Sequence, residues 1–346
     1  MAGDSAMRLL QAMAGAEFGG AEAFFERLAI ALHRAGLEQR ILVRPNGRRC
    51  GRLREAGLDV VELPFGGPLD LRTRWGFHRA IGQFKPSLSL TWMNRASQFC
   101  PKAGQVRVGR LGGYYDLKYY KGFDHLIGNT RDIRAWIVDQ GWPGDRAHYL
   151  PNFVSAATAA PFPREEVYTP MHAPLVLAMG RLHANKGFDT LLRALAKAPG
   201  VYLWLAGEGP EREALELLAE RLSVKPRVRF LGWRDDPASL FAAADVFVCS
   251  SRHEPLGNVV IEAWAQTIPV IATESQGPAS LVSHEKTGLL VPIDDEAAMG
   301  SAIERLFRDR GLARALGLAG RLAYEAEFTE ATVVDHYLGF FDSVTR

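Results

Sequence analysis

The sequence predicts an α/β protein of two doubly wound domains, each a mostly parallel sheet with helices on both faces. Two observations predict this. Short apolar runs alternate with stretches of helical periodicity along nearly the whole chain, as parallel strands joined by crossover helices require. The alternation also runs twice, with a lapse between: PNFVSAATAAPFPREEVYTPMHAP, from residue 151 to about 174, is rich in Pro and Ala and has no period. A chain of 346 residues with 47% hydrophobic content is long enough for two such cores.

In the first half RLLQAMA reads as a strand and AEAFFERLAIALHRAG as the following helix, with Phe24, Leu28, Ala31, Leu32 and Ala35 on one stripe and Gly36 placed to end it. The runs QRILVRP, VVELPF, PSLSLTW, VRVGRLGG and DHLIGNT read as further strands. After the lapse the strands are PLVLAMG, VYLWLAG, RVRFLGW, DVFVCSS, IPVIATES and TGLLVP. FDTLLRALAKA, PEREALELLAERL, PASLFAAA and NVVIEAWAQ are the helices between them, and the tail after Asp294 is mostly helical. The expected organisation is a domain over 1–155, a linker over 156–173, a second domain over 174–328, and a helix over 329–346 that returns to the first domain. Ligands of such folds bind outside the carboxyl ends of the strands, so a central cleft faced by both domains is the expected site.

Cys50, Cys100 and Cys249 are an odd number with wide spacing and no metal-ligand pattern, which points to free thiols in a reducing compartment. The N-terminal segment MAGDSAMRLLQAMAGAEFGG carries Asp4 and only a broken apolar run, which argues against a signal peptide or membrane span and for a cytoplasmic protein. Net charge is +2, unevenly spread: residues 1–170 hold 23 Lys/Arg against 16 Asp/Glu, and the remainder 18 against 23. A basic front half suits an anionic partner such as a membrane surface or an acidic acceptor. No basic run with interleaved aromatics at a known module's spacing supports nucleic acid.

The most informative stretch is SSRHEPLGNVVIEAWA, residues 250–265. Pro255 and Gly257 exclude one continuous helix. The strand ends near Ser251, a turn carries Glu254, and a helix opening near Asn258 carries Glu262 in its second turn. The unpaired amides of that helix start lie between the two carboxylates and suit an anionic group. GRLHANKGFDTLL places Arg181 and Lys186 on a strand-to-helix loop, either as solvated surface charges or as ligands. A helix N-terminus contributes only about 0.3 to 1 kcal/mol to an exposed anion, so a diphosphate requires such cations as well. At the first strand-to-helix junction, AGAEFGGAE holds Gly15, Gly19 and Gly20 at intervals that do not match the dinucleotide fingerprint; these glycines make the turn or admit a ligand.

EPLGNVVIEAWA, preceded by GRLHANKG and AGEGPE and followed by GPASLVSHEKTGLLVP, resembles the retaining GT-B glycosyltransferases of family 4. The E-x7-E pair, the Arg and Lys, the N-terminal GGAE and the TGLLVP strand stand in the family's order over nearly the full chain. The resemblance implies two Rossmann-like domains and sugar transfer from a nucleotide-diphosphate sugar, UDP-linked first among them. The implied acceptor is a saccharide or lipid-linked molecule of cell-envelope polysaccharide or lipopolysaccharide. It implies that Glu254 contacts the donor sugar's hydroxyls and Glu262 the ribose. The backbone of Leu256, Gly257, Asn258 and Val259 would hold the diphosphate and sugar, and Arg181 and Lys186 would neutralise the leaving group. Gly19 and Gly20 would approach from the opposite domain, and Leu231 and Gly232 would lie near the base. Transfer is expected to need neither metal nor cofactor, since no DxD motif stands at a suitable strand end. A nucleotide-sugar epimerase and a non-catalytic binding protein share the architecture and remain the alternatives.

The first domain departs from the family pattern. Where relatives carry a histidine, this chain reads VGRLGGYYDLKYYKGFDHLIGNT, with Arg110, Gly112 and Gly113 at the expected place. Arg110, Asp116 and Lys118 are therefore the acceptor-side candidates, Asp116 and Lys118 being equally readable as solvated loop charges. His125, just before an apolar strand, reads as a satisfied buried histidine. DLRTRWGFHRAIGQFKP combines Arg72, Arg74, Arg79 and Lys85 with Trp75, Phe77 and Phe84, either as an interfacial helix at the inner leaflet or as a surface helix whose aromatics enter the core.

Overall fold

The computed structural model describes residues 7–346 apart from Phe18 and Pro68, so Asp4 lies outside the described residues. The chain divides into two compact units, one running to Phe153 and including Glu330–Arg346, the other Val154–Thr329. The first contains β1 (Arg8–Met13), α1 (Gly20–Arg34), β2 (Glu38–Val43), α2 (Gly47–Glu55), β3 (Asp59–Glu62), α3 (Leu71–Phe84), β4 (Leu88–Trp92), α4 (Met93–Phe99), β5 (Val106–Leu111), β6 (His125–Gly128), α5 (Arg131–Asp139) and β7 (Ala147–Tyr149). The second contains β8 (Leu175–Met179), α6 (Phe188–Lys197), β9 (Tyr202–Ala206), α7 (Arg212–Arg221), β10 (Val228–Gly232), α8 (Pro237–Ala243), β11 (Val246–Cys249), α9 (Asn258–Ala265), β12 (Val270–Thr273), α10 (Gln276–Leu281), β13 (Leu289–Val291), α11 (Glu296–Arg308) and α12 (Arg310–Glu327). α13 (Glu330–Thr345) belongs to the first unit.

Strand order is β3-β2-β1-β4-β5-β6-β7 in one sheet and β10-β9-β8-β11-β12-β13 in the other. The paired strands run parallel. Helices cover both faces, so the central strands are buried on both sides and read as continuous apolar runs rather than alternating ones. Each order reverses once, between β1 and β4 and between β8 and β11, and at such a point the loops leaving neighbouring strands diverge and open a crevice.

In the first unit α1 buries Phe24, Phe25, Leu28, Ala29 and Leu32, and Gly36, at φ 88°, turns the chain into β2. A buried polar chain fixes the strands: Trp92 Nε1 donates to Gln11 Oε1 at 2.9 Å, Gln11 Nε2 to Gln39 Oε1 at 2.7 Å, and Gln39 Nε2 to the Ala29 carbonyl at 2.9 Å. α13 packs Val333, Tyr337, Phe340 and Phe341 into the same core as Leu9, Leu28 and Leu150. Each such side chain is worth about 1.5–3 kcal/mol when fully buried.

The segment 156–173 was expected as a linker. This segment is part of the second unit. Phe162 donates its amide to the Ser239 carbonyl at 3.0 Å and its ring meets Trp204 edge-on at 5.8 Å. Arg164 Nε donates to the Ala243 carbonyl at 3.1 Å. Aperiodic Pro-rich sequence here is a strap over α8 rather than a tether, because its apolar side chains Ala156, Phe162 and Val167 have a core to join.

α3 divides its aromatics. Phe77 and Phe84 are buried in the core, as an ordinary surface helix requires, while Trp75 is 65% exposed beside Leu69 at 91% and Leu71 at 73%. Among the described residues no helix is long and apolar enough to cross a membrane.

Candidate functional site

The topology of the second unit brings Lys186 and Glu254 together. β8 and β11 are neighbours at the reversal of strand order. The loop leaving β8 carries Arg181 and Lys186, and the loop leaving β11 carries Glu254. Lys186 Nζ and Glu254 Oε2 meet as a half-buried ion pair. The pair thus bridges the two loops that diverge at the switch point.

The backbone explains why the loops can approach so closely. Gly187 stands at φ 60°, and a Cβ there would lie 2.1 Å from the Ser250 carbonyl oxygen, so any side chain would push the Lys186 loop off β11. Ser250 Oγ donates to the Lys186 carbonyl at 2.8 Å, and the amides of Arg252 and His253 donate to the Asn185 carbonyl at 2.8 and 3.2 Å. Arg252 completes the join. Its guanidinium grips Asp189 with bonds of 2.8 and 2.7 Å, reaches Asp294 at 2.7 Å and donates to the Ala184 carbonyl at 2.7 Å. Burial, the largest single influence, would raise the Asp189 carboxyl, but the bond to Arg252, its charge and two backbone amides together leave the group lowered. Sequence reasoning missed Arg252 and Asp189, although an arginine two residues before Glu254 was in plain view.

Gly257, at φ 82°, caps α9 without a side-chain bond, and its amide donates to Glu254 Oε1 at 3.3 Å. The Gly277 amide donates to the Glu254 carbonyl at 2.7 Å. Glu254 is therefore held at the mouth of α9 by a cation on one oxygen and an amide near the other. Asn258 opens α9, Val259 follows, and Glu262 is half-buried on its second turn, while Leu256 is buried beneath the mouth. Arg181 is exposed at the start of the Lys186 loop. An anion at this place would meet the Lys186 ammonium and a helix start, and a hydroxyl would meet a carboxylate oriented to accept it.

The remaining expected residues stand on other elements. Leu231 and Gly232 end β10, which is separated from β8 by β9; the Gly232 carbonyl accepts the Gly207 amide at 2.8 Å. Gly19 and Gly20 are in the first unit, where Gly19 precedes α1 and Gly20 begins it. Glu22 covers that loop, its Oε1 accepting the Ala16 amide at 2.8 Å. Asp116 and Lys118 are exposed and pair with each other at 2.6 Å.

Arg110 is 2% exposed and has a structural setting rather than an open one. Its guanidinium lies over the rings of Trp92 at 4.4 Å and Phe24 at 4.9 Å, with Nε donating to Tyr337 Oη at 2.8 Å and Nη2 donating to Asn152 at 2.5 Å. His125 Nδ1 faces His148 Nε2 at 3.1 Å. The three cysteines are buried thiols.

Comparison with known proteins identifies the family. The family model described as glycosyl transferases group 1 matches residues 162–323, from the strap through most of α12. The chain is 38% identical over 340 residues to the lipopolysaccharide core biosynthesis glycosyltransferase LpsD of Rhizobium meliloti, covering 97% of this chain and 98% of that one. It is 39% identical over 330 residues to LpsE of the same organism, with 92% and 95% covered. The crystal structure of HepE from Anabaena, in complex with UDP and glucose, superposes with a TM-score of 0.83 at 20% identity, covering 97% of this chain and 100% of that one. These relatives match both halves of the chain, and the shared fold is GT-B. The chain belongs to the glycosyl transferases group 1 family and is a glycosyltransferase.

Proposed function

We propose that this enzyme moves a hexosyl group from a nucleoside-diphosphate sugar, UDP-linked, to a saccharide acceptor of the lipopolysaccharide core, with retention and without a metal ion. The observation that carries the reading is the Lys186–Glu254 pair at the mouth of α9. The donor's diphosphate lies against Lys186, Arg181 and the amides of Gly257, Asn258 and Val259, and the ribose meets Glu262. Glu254 accepts hydrogen bonds from the sugar hydroxyls. The bond from C1 to the diphosphate oxygen breaks with its electron pair going to that oxygen, and Lys186 and Arg181 stabilise the charge that develops there. The acceptor hydroxyl oxygen bonds to C1 from the same face, and its proton passes to the departing phosphate oxygen. The two cations supply the electrostatic role for which other transferases use a divalent ion.

The relatives LpsD and LpsE act in lipopolysaccharide core biosynthesis and HepE was solved with UDP and glucose, which supports the donor and acceptor classes. For partners, α3 contains no acidic residue and presents Arg72, Arg74 and Arg79 beside exposed Leu69, Leu71 and Trp75. That combination suits an anionic lipid surface at the cytoplasmic face, where a lipid-linked acceptor stands. The test is product analysis with UDP-glucose, UDP-galactose and truncated core oligosaccharide, with and without EDTA. Transfer that survives EDTA with the anomeric configuration kept is the expected result; transfer abolished by EDTA or with inverted product contradicts the reading.

A further inference from the structure

The carboxyl edge of the first sheet holds a second group of polar side chains that the chemistry above does not use. β5 and β6 pair with Leu111 opposite Gly128, so Gly112 and Asn129 leave the sheet side by side, and the Asn129 amide donates to the Leu111 carbonyl at 3.3 Å. A Cβ on Gly112 would lie 3.7 Å from Asn129 Nδ2 and 3.9 Å from Tyr115 Oη, and one on Gly113 would lie 3.9 Å from the same Oη. The amide and the phenol therefore converge over bare backbone. Asn129 is 4% exposed, and its Oδ1 has no hydrogen-bond partner among the described residues. Buried side-chain oxygens are nearly always paired, so an unpaired one calls for an explanation.

The unpaired oxygen also means that no internal bond locks the amide's orientation. A half-turn about its last torsion exchanges a donor for an acceptor at nearly the same point in space. Tyr115, half-buried with Glu22 and Arg110 in electrostatic reach, has its phenol pushed up chiefly by burial, so it stays a neutral hydroxyl that both donates and accepts. The surroundings disfavour an anion: Arg110 commits its guanidinium to Tyr337 and Asn152, and Glu22 adds a carboxylate. Neutral groups able to donate and to accept, over a floor without side chains, match a sugar ring with its hydroxyls.

We propose that Asn129, with the Tyr115 hydroxyl above Gly112 and Gly113, is a specificity-determining contact for a hydroxyl of the acceptor saccharide. The proposal rests on the transferase reading for its acceptor class. It replaces the exposed Asp116–Lys118 pair and the enclosed Arg110 as the acceptor-side residues.

The test uses the full chain and the methyl α-glycosides of glucose, galactose and mannose, with binding read by saturation-transfer NMR. Asn129→Ala and Tyr115→Phe each remove one polar group. Gly112→Val fills the floor, and its Cβ has only ordinary contacts at 3.7 Å and beyond, so the fold tolerates it. The expected result is that at least one glycoside binds the wild type and that its signal falls about five-fold in Asn129→Ala, the worth of one neutral hydrogen bond. The signal is also lost in Gly112→Val, while melting temperature and UDP binding stay unchanged. Absence of glycoside binding to the wild type, or equal binding by wild type and Gly112→Val, overturns the proposal. Should Asn129→Ala fail to fold, Gly112→Val alone decides. UDP binding is measured separately, so a wild type that binds a glycoside but no UDP contradicts the donor reading and leaves the subsite standing.

Discussion

Arg110 Nε donates to Tyr337 Oη at 2.8 Å across 227 residues of chain, joining the interior strand β5 to the last helix. The same guanidinium donates to Asn152, one residue before the first unit ends at Phe153. A buried cation without a carboxylate partner depends on such neutral acceptors and on the faces of Phe24 and Trp92. Tyr337→Phe removes one acceptor and nothing else. We expect it to destabilise the protein by about 1–3 kcal/mol, read as a lower urea midpoint with unchanged slope. An unchanged midpoint would show that the guanidinium is satisfied without it.

Arg252 holds the Lys186 loop to the Glu254 loop through Asp189, Asp294 and the Ala184 carbonyl. Arg252→Ala leaves Lys186 and Glu254 unsubstituted but loosens the loops that carry them. The expected outcome is a KM for the donor raised about ten-fold, with stability lowered by about 1–2 kcal/mol, because the network is partly exposed and screened. Steady-state kinetics and thermal unfolding measure the two effects. Unaltered KM would mean that Lys186 and Glu254 are positioned without the staple.

The His125–His148 pair beneath Phe340 makes the first unit sensitive to acid. Burial first, then His125 and Arg134, depress the His148 imidazole from 6.5 to about 4, and burial lowers His125 as well. The unfolded chain binds the proton more readily, so this contribution to stability is complete above 6.5 and is lost as pH falls from there through about 4. Allowing for the partial exposure of His148, the loss is on the order of 1 kcal/mol. Denaturant midpoints of wild type and His148→Gln between neutral and acid pH check this: the difference between the proteins should change over that window. A constant difference contradicts the assignment.

The exposed face of α3 gives a membrane prediction. Trp75→Ala combined with Leu71→Ala removes apolar contact, and Arg72→Glu combined with Arg79→Glu reverses charge, without touching the buried Phe77 or Phe84. Sedimentation with vesicles of phosphatidylglycerol and phosphatidylethanolamine should show wild-type binding reduced by both pairs, each Arg near an anionic surface being worth about 1 kcal/mol. Binding that is indifferent to either pair places the membrane contact elsewhere.

The legible parts of the molecule are those set by local rules. The strands were readable because parallel strands buried on both faces are continuous apolar runs, as in RLLQAM and VFVC. The start of α9 at Asn258 was readable because Pro255 and Gly257 forbid an earlier one. The burial of Arg110 was not legible because its partners Asn152 and Tyr337 are remote in sequence, and nothing local to VGRLGG reveals an enclosed guanidinium. The strap over 156–173 looked like a tether because aperiodic backbone gives no sign of what its few apolar side chains will cover. Asn129 carried no motif at all; only the pairing of β5 with β6 places it over Gly112. In α3 the sequence grouped Trp75 with Phe77 and Phe84, and only the structure separates the two buried rings from the exposed one.

The central claim is that Lys186, held by Glu254 at the mouth of α9, recognises the diphosphate of the donor. Calorimetry of UDP and of uridine on wild type and Lys186→Ala tests it most directly. The account predicts that Lys186→Ala weakens UDP about ten-fold or more while uridine binding is unchanged, as loss of one charge-assisted contact to phosphate requires. Equal weakening of both ligands, or of neither, would contradict it.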